Sequence, residues 1–509
     1  MSGPTKPDAR GATHAGGRAP GPSGHVPADS DGPDTRGPTA PAGPRASSLS
    51  GHVPKDSGDP GMSRATRPGD SGARPAGANS ADLSGHVPQD SGDPRMRGFQ
   101  ARADLADALA LLRERAVRLP GEEVPLAAAY GRVLAADVLA PIDVPGYVRA
   151  AVDGYALRGE DSFGATVDAP LVLPVRGDSL PGRPYPAALG PGEAVRIATG
   201  APLPAGADAV LQAELAREVV RGGRVLVELL GSVPPLRHTG QVGEDMSRGT
   251  CVLTAGRRLR PQDVGALASL GLAGVAVVRR PRLGLLVTGD ELVPPGTAPG
   301  PHQIVDSNSL VLAGLAARDG AAWLAPLRAR DGVAALRAGL EALLAGPADV
   351  LLISGATSVG PEDLMPQIFR ERGRLDLHGL AVRPASPTAL GRAHDGRPVF
   401  LLPGNPVSCL CAYELVVGPL VRALGGRPDP WAFPHRSVEL VLARKLTSKV
   451  GRTDFVRVRR LGAHEVEPVA TSGASNLSST VVADGFVLVD ADSEGAAAGE
   501  PVRVYLFDP

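Results

Sequence analysis

Three apolar runs that each end in a polar glycine loop constrain this chain more than any other feature. Arg282-Leu283-Gly284-Leu285-Leu286-Val287 runs into Thr288-Gly289-Asp290-Glu291, and Asp349-Val350-Leu351-Leu352-Ile353 runs into Ser354-Gly355-Ala356-Thr357-Ser358-Val359-Gly360. Val399-Phe400-Leu401-Leu402 runs into Pro403-Gly404-Asn405-Pro406-Val407-Ser408 and on into Cys409-Leu410-Cys411-Ala412-Tyr413-Glu414-Leu415. The last unit reads as strand, tight turn and helix, with Asn405 as N-cap and Pro406 at the first helical position. Backbone N–H groups at such a helix start favour an anion. Three units of this kind predict a parallel sheet whose loops converge on one edge, the usual place for a ligand in an α/β domain.

At 509 residues the chain is too long for one core. Residues 1–98 contain only Leu49 and Leu83 among the larger aliphatic side chains besides Val and Met, and no Phe, Trp, Tyr, Ile or Cys. Such a segment buries too little to offset its ordering entropy, so a disordered tail is expected. The tail repeats Ser-Gly-His-Val-Pro at Ser23, Ser50 and Ser84. One Val per unit cannot build a folded array, and duplicated low-complexity sequence is favoured over a linear motif or a His-based metal chelator.

The net charge of -1 argues against nucleic-acid binding as the main activity. The first thirty residues lack the apolar core of a secretory signal. Apolar runs fall short of the roughly 20 residues needed to span a bilayer. Cys251, Cys409 and Cys411 do not make a disulfide framework or a convincing zinc site and are expected as buried thiols. A soluble, cytoplasmic protein with no membrane partner is the expectation.

Helical spacing is expected over Ala101–Leu119, residues 308–320 and residues 331–345, the last with Asp331 as N-cap and Gly346 beyond its end. Residues 168–255 alternate short Val/Leu runs with glycine turns, a β-rich pattern. Short strands return near 438–442, 455–458, 485–489 and 501–506, which suggests a small C-terminal β-barrel. Asp290 and Glu291 directly follow a strand, and Asp363 follows the next strand's loop. Carboxylates so placed suit Mg²⁺, a hard cation that takes a few carboxylates plus phosphate oxygens. Isolated loop carboxylates are commonly plain turn residues, so the placement carries the argument. No Walker loop, dinucleotide fingerprint or Ser-His-Asp triad is legible.

Taken together, the motifs resemble the MoeA/gephyrin E-domain family of molybdopterin molybdenumtransferases. The match runs in order through Val144-Pro145, Asp153-Gly154-Tyr155-Ala156, Arg196 to Pro202, Gly243-Glu244-Asp245, Thr288 to Leu292, Asp306-Ser307-Asn308, Ser354 to Asp363 and Pro403 to Ser408. The resemblance implies a multidomain α/β plus β fold. After the tail (1–98) come a discontinuous helical and β-rich region (99–280), a mostly parallel α/β molybdopterin-binding domain (281–426) and a C-terminal β-barrel (427–509). It also implies a homodimer that inserts molybdate into adenylylated molybdopterin with Mg²⁺-dependent release of AMP, served by a separate molybdopterin adenylyltransferase. The residues it implies are Asp290, Glu291 and Asp363 at the metal, with Asp153 and Asp245 catalytic. Thr199, Ser354, Gly355, Ser358, Arg383, Ser386, Gly404, Asn405, Arg452 and Ser475 would hold the substrates.

Two departures stand out. The family's Lys-Pro-Gly-Lys-Pro is here Arg383-Pro384-Ala385-Ser386-Pro387, so Ser386 replaces a cation expected to face molybdate. The family's Ser-Gly-Gly-Val is here Ser354-Gly355-Ala356-Thr357, which would strain position 356 if it required a positive φ. A divergent paralogue that hydrolyses the adenylylated pterin or handles tungstate, and a noncatalytic oligomeric scaffold, remain alternatives.

Overall fold

The computed structural model describes residues 102–355, 364–470 and 473–508. The tail repeats, Ala356, Ser358 and Asp363 lie outside the described residues.

The three apolar runs form adjacent parallel strands. Arg282–Thr288 pairs with Val350–Ser354, which pairs with Pro398–Leu402. Ala322–Trp323 and Leu327–Ala329 extend the parallel edge, and Ala389–Ala393 and Gly373–His378 close the other edge antiparallel. Successive side chains enter opposite cores. Leu283, Leu285, Val350, Leu352, Phe400 and Leu402 pack on one face, and Leu286, Leu351, Ile353, Val399 and Leu401 on the other. A strand buried on both faces must be apolar throughout, which explains the unbroken runs. Truncating one such Leu to Ala would cost about 2–5 kcal/mol.

Helices cover both faces. Asn308–Arg318 and the stretch Pro406–Leu424 pack on the first core, Val333–Ala345 and Met365–Arg370 on the second. Pro406–Leu424 is 19 residues long, with mean hydropathy 1.6, so one apolar run does reach near-spanning length, contrary to the sequence reading. It is a core helix, 89% buried. The N-terminal helix Leu105–Arg115 inserts Ala108 and Leu112 into the first core. The described part of the chain thus starts on the central α/β unit, leaves it, and returns at Arg282.

The excursion makes two β-rich parts. Gly121–Pro125 pairs with Gly274–Val278 over a core shared with the helix Pro261–Ser269. Residues 154–229 supply a six-stranded, mainly antiparallel sheet with its own core around Leu157, Leu211, Val227 and Leu229.

The C-terminal part closes on itself. Thr453–Arg460, Glu465–Ala470, Ser437–Leu442, Pro501–Leu506 and Gly485–Val489 pair in that order, and Gly485–Val489 returns to Thr453–Arg460. This is a five-stranded barrel, which leaves no free sheet edge around the ring. A sixth segment, Val382–Arg383, joins it from the α/β part by pairing with Thr453–Asp454. The cysteine expectation holds for Cys409 and Cys411, whereas Cys251 is exposed. It sits at the start of the short strand Cys251–Leu253, where the first side chain faces solvent.

Candidate functional site

The cleft begins where the three parallel strands stop. Gly355 takes a φ of +95°, and a Cβ there would lie 2.4 Å from the Thr288 carbonyl oxygen. Only glycine lets the second loop cross so close above the first strand. The Gly355 N–H donates to Leu402 O at 3.3 Å, which ties the second loop to the third strand. Asn308 completes the lacing. Its buried Nδ2 donates to Ser354 Oγ at 3.0 Å and to Gly404 O at 2.8 Å. Its Oδ1 is buried without a hydrogen-bond partner among the described residues.

Asp290 and Glu291 are exposed at the first loop. Asp290 exchanges bonds with Asp331, each backbone N–H donating to the other's carboxylate at 3.2 and 3.3 Å. Asp331 therefore belongs to the site and not to a helix cap. The following helix starts at Val333 with Gly332, at φ +116°, as its N-cap. Arg330 adds an exposed ion pair to Asp290 at 3.3 Å. Asp290 and Asp331 offer hard oxygen donors side by side, which fits the habit of Mg²⁺ of taking one or two carboxylates and keeping water. Among the described residues no three His, Cys, Asp or Glu side chains converge into a ready cage.

Asn405 does stand at the N-cap with Pro406 first in the helix, but its side chain makes no cap bond. Its Oδ1 accepts from Ser475 Oγ at 2.8 Å, and the Val407 N–H donates to Ala474 O at 3.0 Å. A barrel loop thus occupies one N–H expected to face a ligand, and it carries Ser475 to the Gly404–Asn405 turn.

The basic and hydroxyl groups expected to hold the oxyanion are more satisfied than the sequence implied. Arg452 pairs with buried Asp454, its Nε 2.8 Å from Oδ1. Ser386 Oγ donates to Val382 O at 2.7 Å, so the hydroxyl bonds within its own loop. Arg383 is half-buried on the barrel-paired strand. Ala385 is buried with φ +68°, a left-handed conformation that costs an L residue about 1–2 kcal/mol. The family pattern has glycine at this position, so strain falls here.

Asp153, Thr199 and Asp245 are exposed and stay within the β-rich part. Asp153 Oδ1 accepts from the Thr199 N–H at 2.7 Å and from its hydroxyl at 2.8 Å. The backbone bond first, then the hydroxyl, holds the Asp153 carboxyl below the usual range. The Asp245 N–H donates to Val144 O at 3.1 Å. Asp153 lines a pocket of about 300 Å³ with Asp178 and Arg196. The hydrogen bonds described for these three residues do not reach the Asp290 loop.

The geometry defines an α/β protein whose strand-ending loops are laced together and held against a barrel loop, and known proteins give it a family. Residues 103–271 match the MoeA N-terminal region (domain I and II), 284–423 a probable molybdopterin binding domain and 439–507 the MoeA C-terminal region (domain IV). A molybdopterin molybdenumtransferase 2 of Mycobacterium tuberculosis is 38% identical over 394 residues, covering 75% of this chain and 94% of that protein. The molybdopterin molybdenumtransferase of Haemophilus influenzae is 33% identical over 397 residues, covering 76% and 94%. The crystal structure of a molybdopterin biosynthesis MoeA protein from Pyrococcus horikosii superposes with a TM-score of 0.70 at 34% identity, covering 80% of this chain and 100% of that one. The chain belongs to the MoeA family.

Sequence reasoning missed Asp331 as a site group and undervalued Asn308. The Asp306-Ser307-Asn308 motif was a usable signal for Asn308. Asp331 had none, because its partner lies 41 residues away.

Proposed function

We propose that this chain is a molybdopterin molybdenumtransferase, inserting molybdate into the dithiolene of adenylylated molybdopterin and releasing AMP. The supporting observation is the lacing of the loops: Gly355, Asn308 and Gly404 hold three strand-ending loops together, and at the first of them the Asp290 and Asp331 carboxylates each accept the other's backbone N–H. Relatives named for this activity support the same reading.

In this reading the pterin nucleotide lies along the loops Ser354–Gly355 and Gly404–Asn405, with Ser475 reaching from the barrel. Asp290, Glu291 and Asp331, with Asp363, would hold Mg²⁺, which supplies Lewis-acid polarisation of the phosphoanhydride when bound. Arg383 and Arg452 orient the oxyanion, with Ser386 in place of a second cation. Two Mo–S bonds form as one molybdate oxygen leaves as water with the two thiol protons. Hydrolysis consumes one water, breaks the P–O bond of the anhydride and yields AMP and the pterin monophosphate.

Asp153, Thr199 and Asp245, whose described bonds stay inside their own β-rich part, would enter this scheme through the homodimer that the family resemblance implies. A second copy would bring them to the cleft. Anaerobic incubation with adenylylated molybdopterin, Mg²⁺ and molybdate tests the reading, with AMP and bound molybdenum measured together. AMP release without molybdenum insertion would support the divergent hydrolase instead, and neither product would support the scaffold. Light scattering on the same sample is expected to give a dimer.

A further inference from the structure

The opposite end of the central sheet carries a second pocket. Its walls come from the turn at Gly131, from residues 278–280 ahead of the first parallel strand, from the end of the helix Asn308–Arg318, and from Arg427. It encloses a cavity of about 190 Å³ with five arginines in its lining: Arg132, Arg258, Arg279, Arg280 and Arg427. Arg132 pairs with Glu122 and Arg279 with Asp349. Arg258, Arg280 and Arg427 make no ion pair among the described residues. Arg258 donates weakly to Gly131 O at 3.4 Å, and Arg427 donates to Arg318 O at 2.6 Å.

The carboxylate in the wall does not neutralise this excess. Asp319 is buried, and its oxygens are taken by Arg318 and Arg422. Arg427 is half-buried among cations. Burial first, then the charge of Arg258, pulls its pKa below the ordinary arginine value. Asp319 offsets this only in part, so a half-buried guanidinium with no direct ion pair stays costly, and a bound anion lowers that cost through charge-assisted hydrogen bonds. Guanidinium forks suit phosphate oxygens in particular. Tyr130 stands half-exposed at the rim, where its ring can cover a flat group.

We propose that this pocket is a second anion site, which takes the phosphate or diphosphate group of a small molecule between Arg258, Arg280 and Arg427. It is separate from the cleft. Arg280 precedes the strand Arg282–Thr288 and Asp290 follows it, so a strand length of roughly 20 Å divides the two.

The experiment is calorimetric titration of the full chain at low salt with inorganic pyrophosphate and, separately, with ADP. Arg258 and Arg280 are exposed, so Arg258→Gln/Arg280→Gln is expected to keep the wild-type Tm. It is expected to weaken one pyrophosphate-binding event at least ten-fold, and that event persists in Asp290→Asn. If a nucleotide is the source of the phosphate, ADP binds more tightly than pyrophosphate and Tyr130→Ala removes only that advantage. If a free diphosphate is the source, the two bind alike and Tyr130→Ala changes neither. Unchanged pyrophosphate affinity and stoichiometry in a folded Arg258→Gln/Arg280→Gln variant would overturn the proposal.

Discussion

The two ends of the central sheet answer the same physical problem in opposite ways. At the carboxyl ends of the strands, exposed Asp290, Glu291 and Asp331 gather beside glycine turns. At the amino ends, arginines surround a cavity and most acidic groups are already engaged. A negative end suits a polyphosphate only with a divalent cation between them, whereas a guanidinium end suits one directly. If both proposals hold, one fold would offer a metal-assisted surface for chemistry and a metal-free surface for binding.

The largest test of this contrast lies at the negative end. Asp290→Asn, Asp331→Asn and Asp363→Asn are each expected to lower Mg²⁺-dependent AMP release about a hundred-fold while Tm stays put, since each removes one full charge at nearly constant shape. Near-normal turnover in all three would leave plain turn carboxylates.

Gly355→Ala comes next. Its methyl would press on Thr288 O in a left-handed backbone, for a cost of about 2–4 kcal/mol. A denaturation midpoint equal to wild type would mean that the loop shifts freely and the lacing is weak.

Ser386→Lys restores a cation and is expected to lower the molybdate concentration for half-maximal insertion about ten-fold, with AMP release changing less. The same variant gives up the Ser386–Val382 bond, so a small loss of Tm should accompany it. No change in the molybdate titration would show that position 386 faces away from the oxyanion.

The smallest effect belongs to the positive end. Burial alone would raise the Asp349 carboxyl, but Arg279 and Arg282 outweigh it and bring the pKa to about 2. A depressed carboxylate stabilises above its unfolded pKa and loses that contribution as pH falls through the folded value. Asp349→Asn should therefore lower stability slightly near neutrality, by about 1 kcal/mol or less after solvent screening, with a correspondingly small drop in Tm. The gap from wild type should close as pH drops from 4 toward about 2. A gap that widens on acidification would contradict the assignment.

The legible parts were those whose physics is local. Strands buried on both faces announce themselves as continuous apolar runs, and glycine turns mark their ends. The barrel strand Glu465–Ala470 was not legible, because Glu465, Glu467 and Pro468 break every β signal that closure later overrides. The residues of the site that were missed depend on distant partners. Asp331 meets Asp290 only once the sheet forms, and the arginine pocket joins Gly131 to Arg427. The Lys-to-Ser change was visible, but not that Ser386 turns to the Val382 carbonyl or that Ala385 carries the left-handed strain.

The pairing of Val382–Arg383 with Thr453–Asp454 has a consequence for recombination. A crossover placed between the sheet and the barrel, near residue 430, would give a chimera whose Arg383 strand came from one parent and its hydrogen-bonding partner from the other. The unit that can be exchanged between relatives without tearing this seam starts before Val382. It therefore carries the Arg383–Pro387 loop along with the barrel, so inheritance of the two is coupled by backbone geometry.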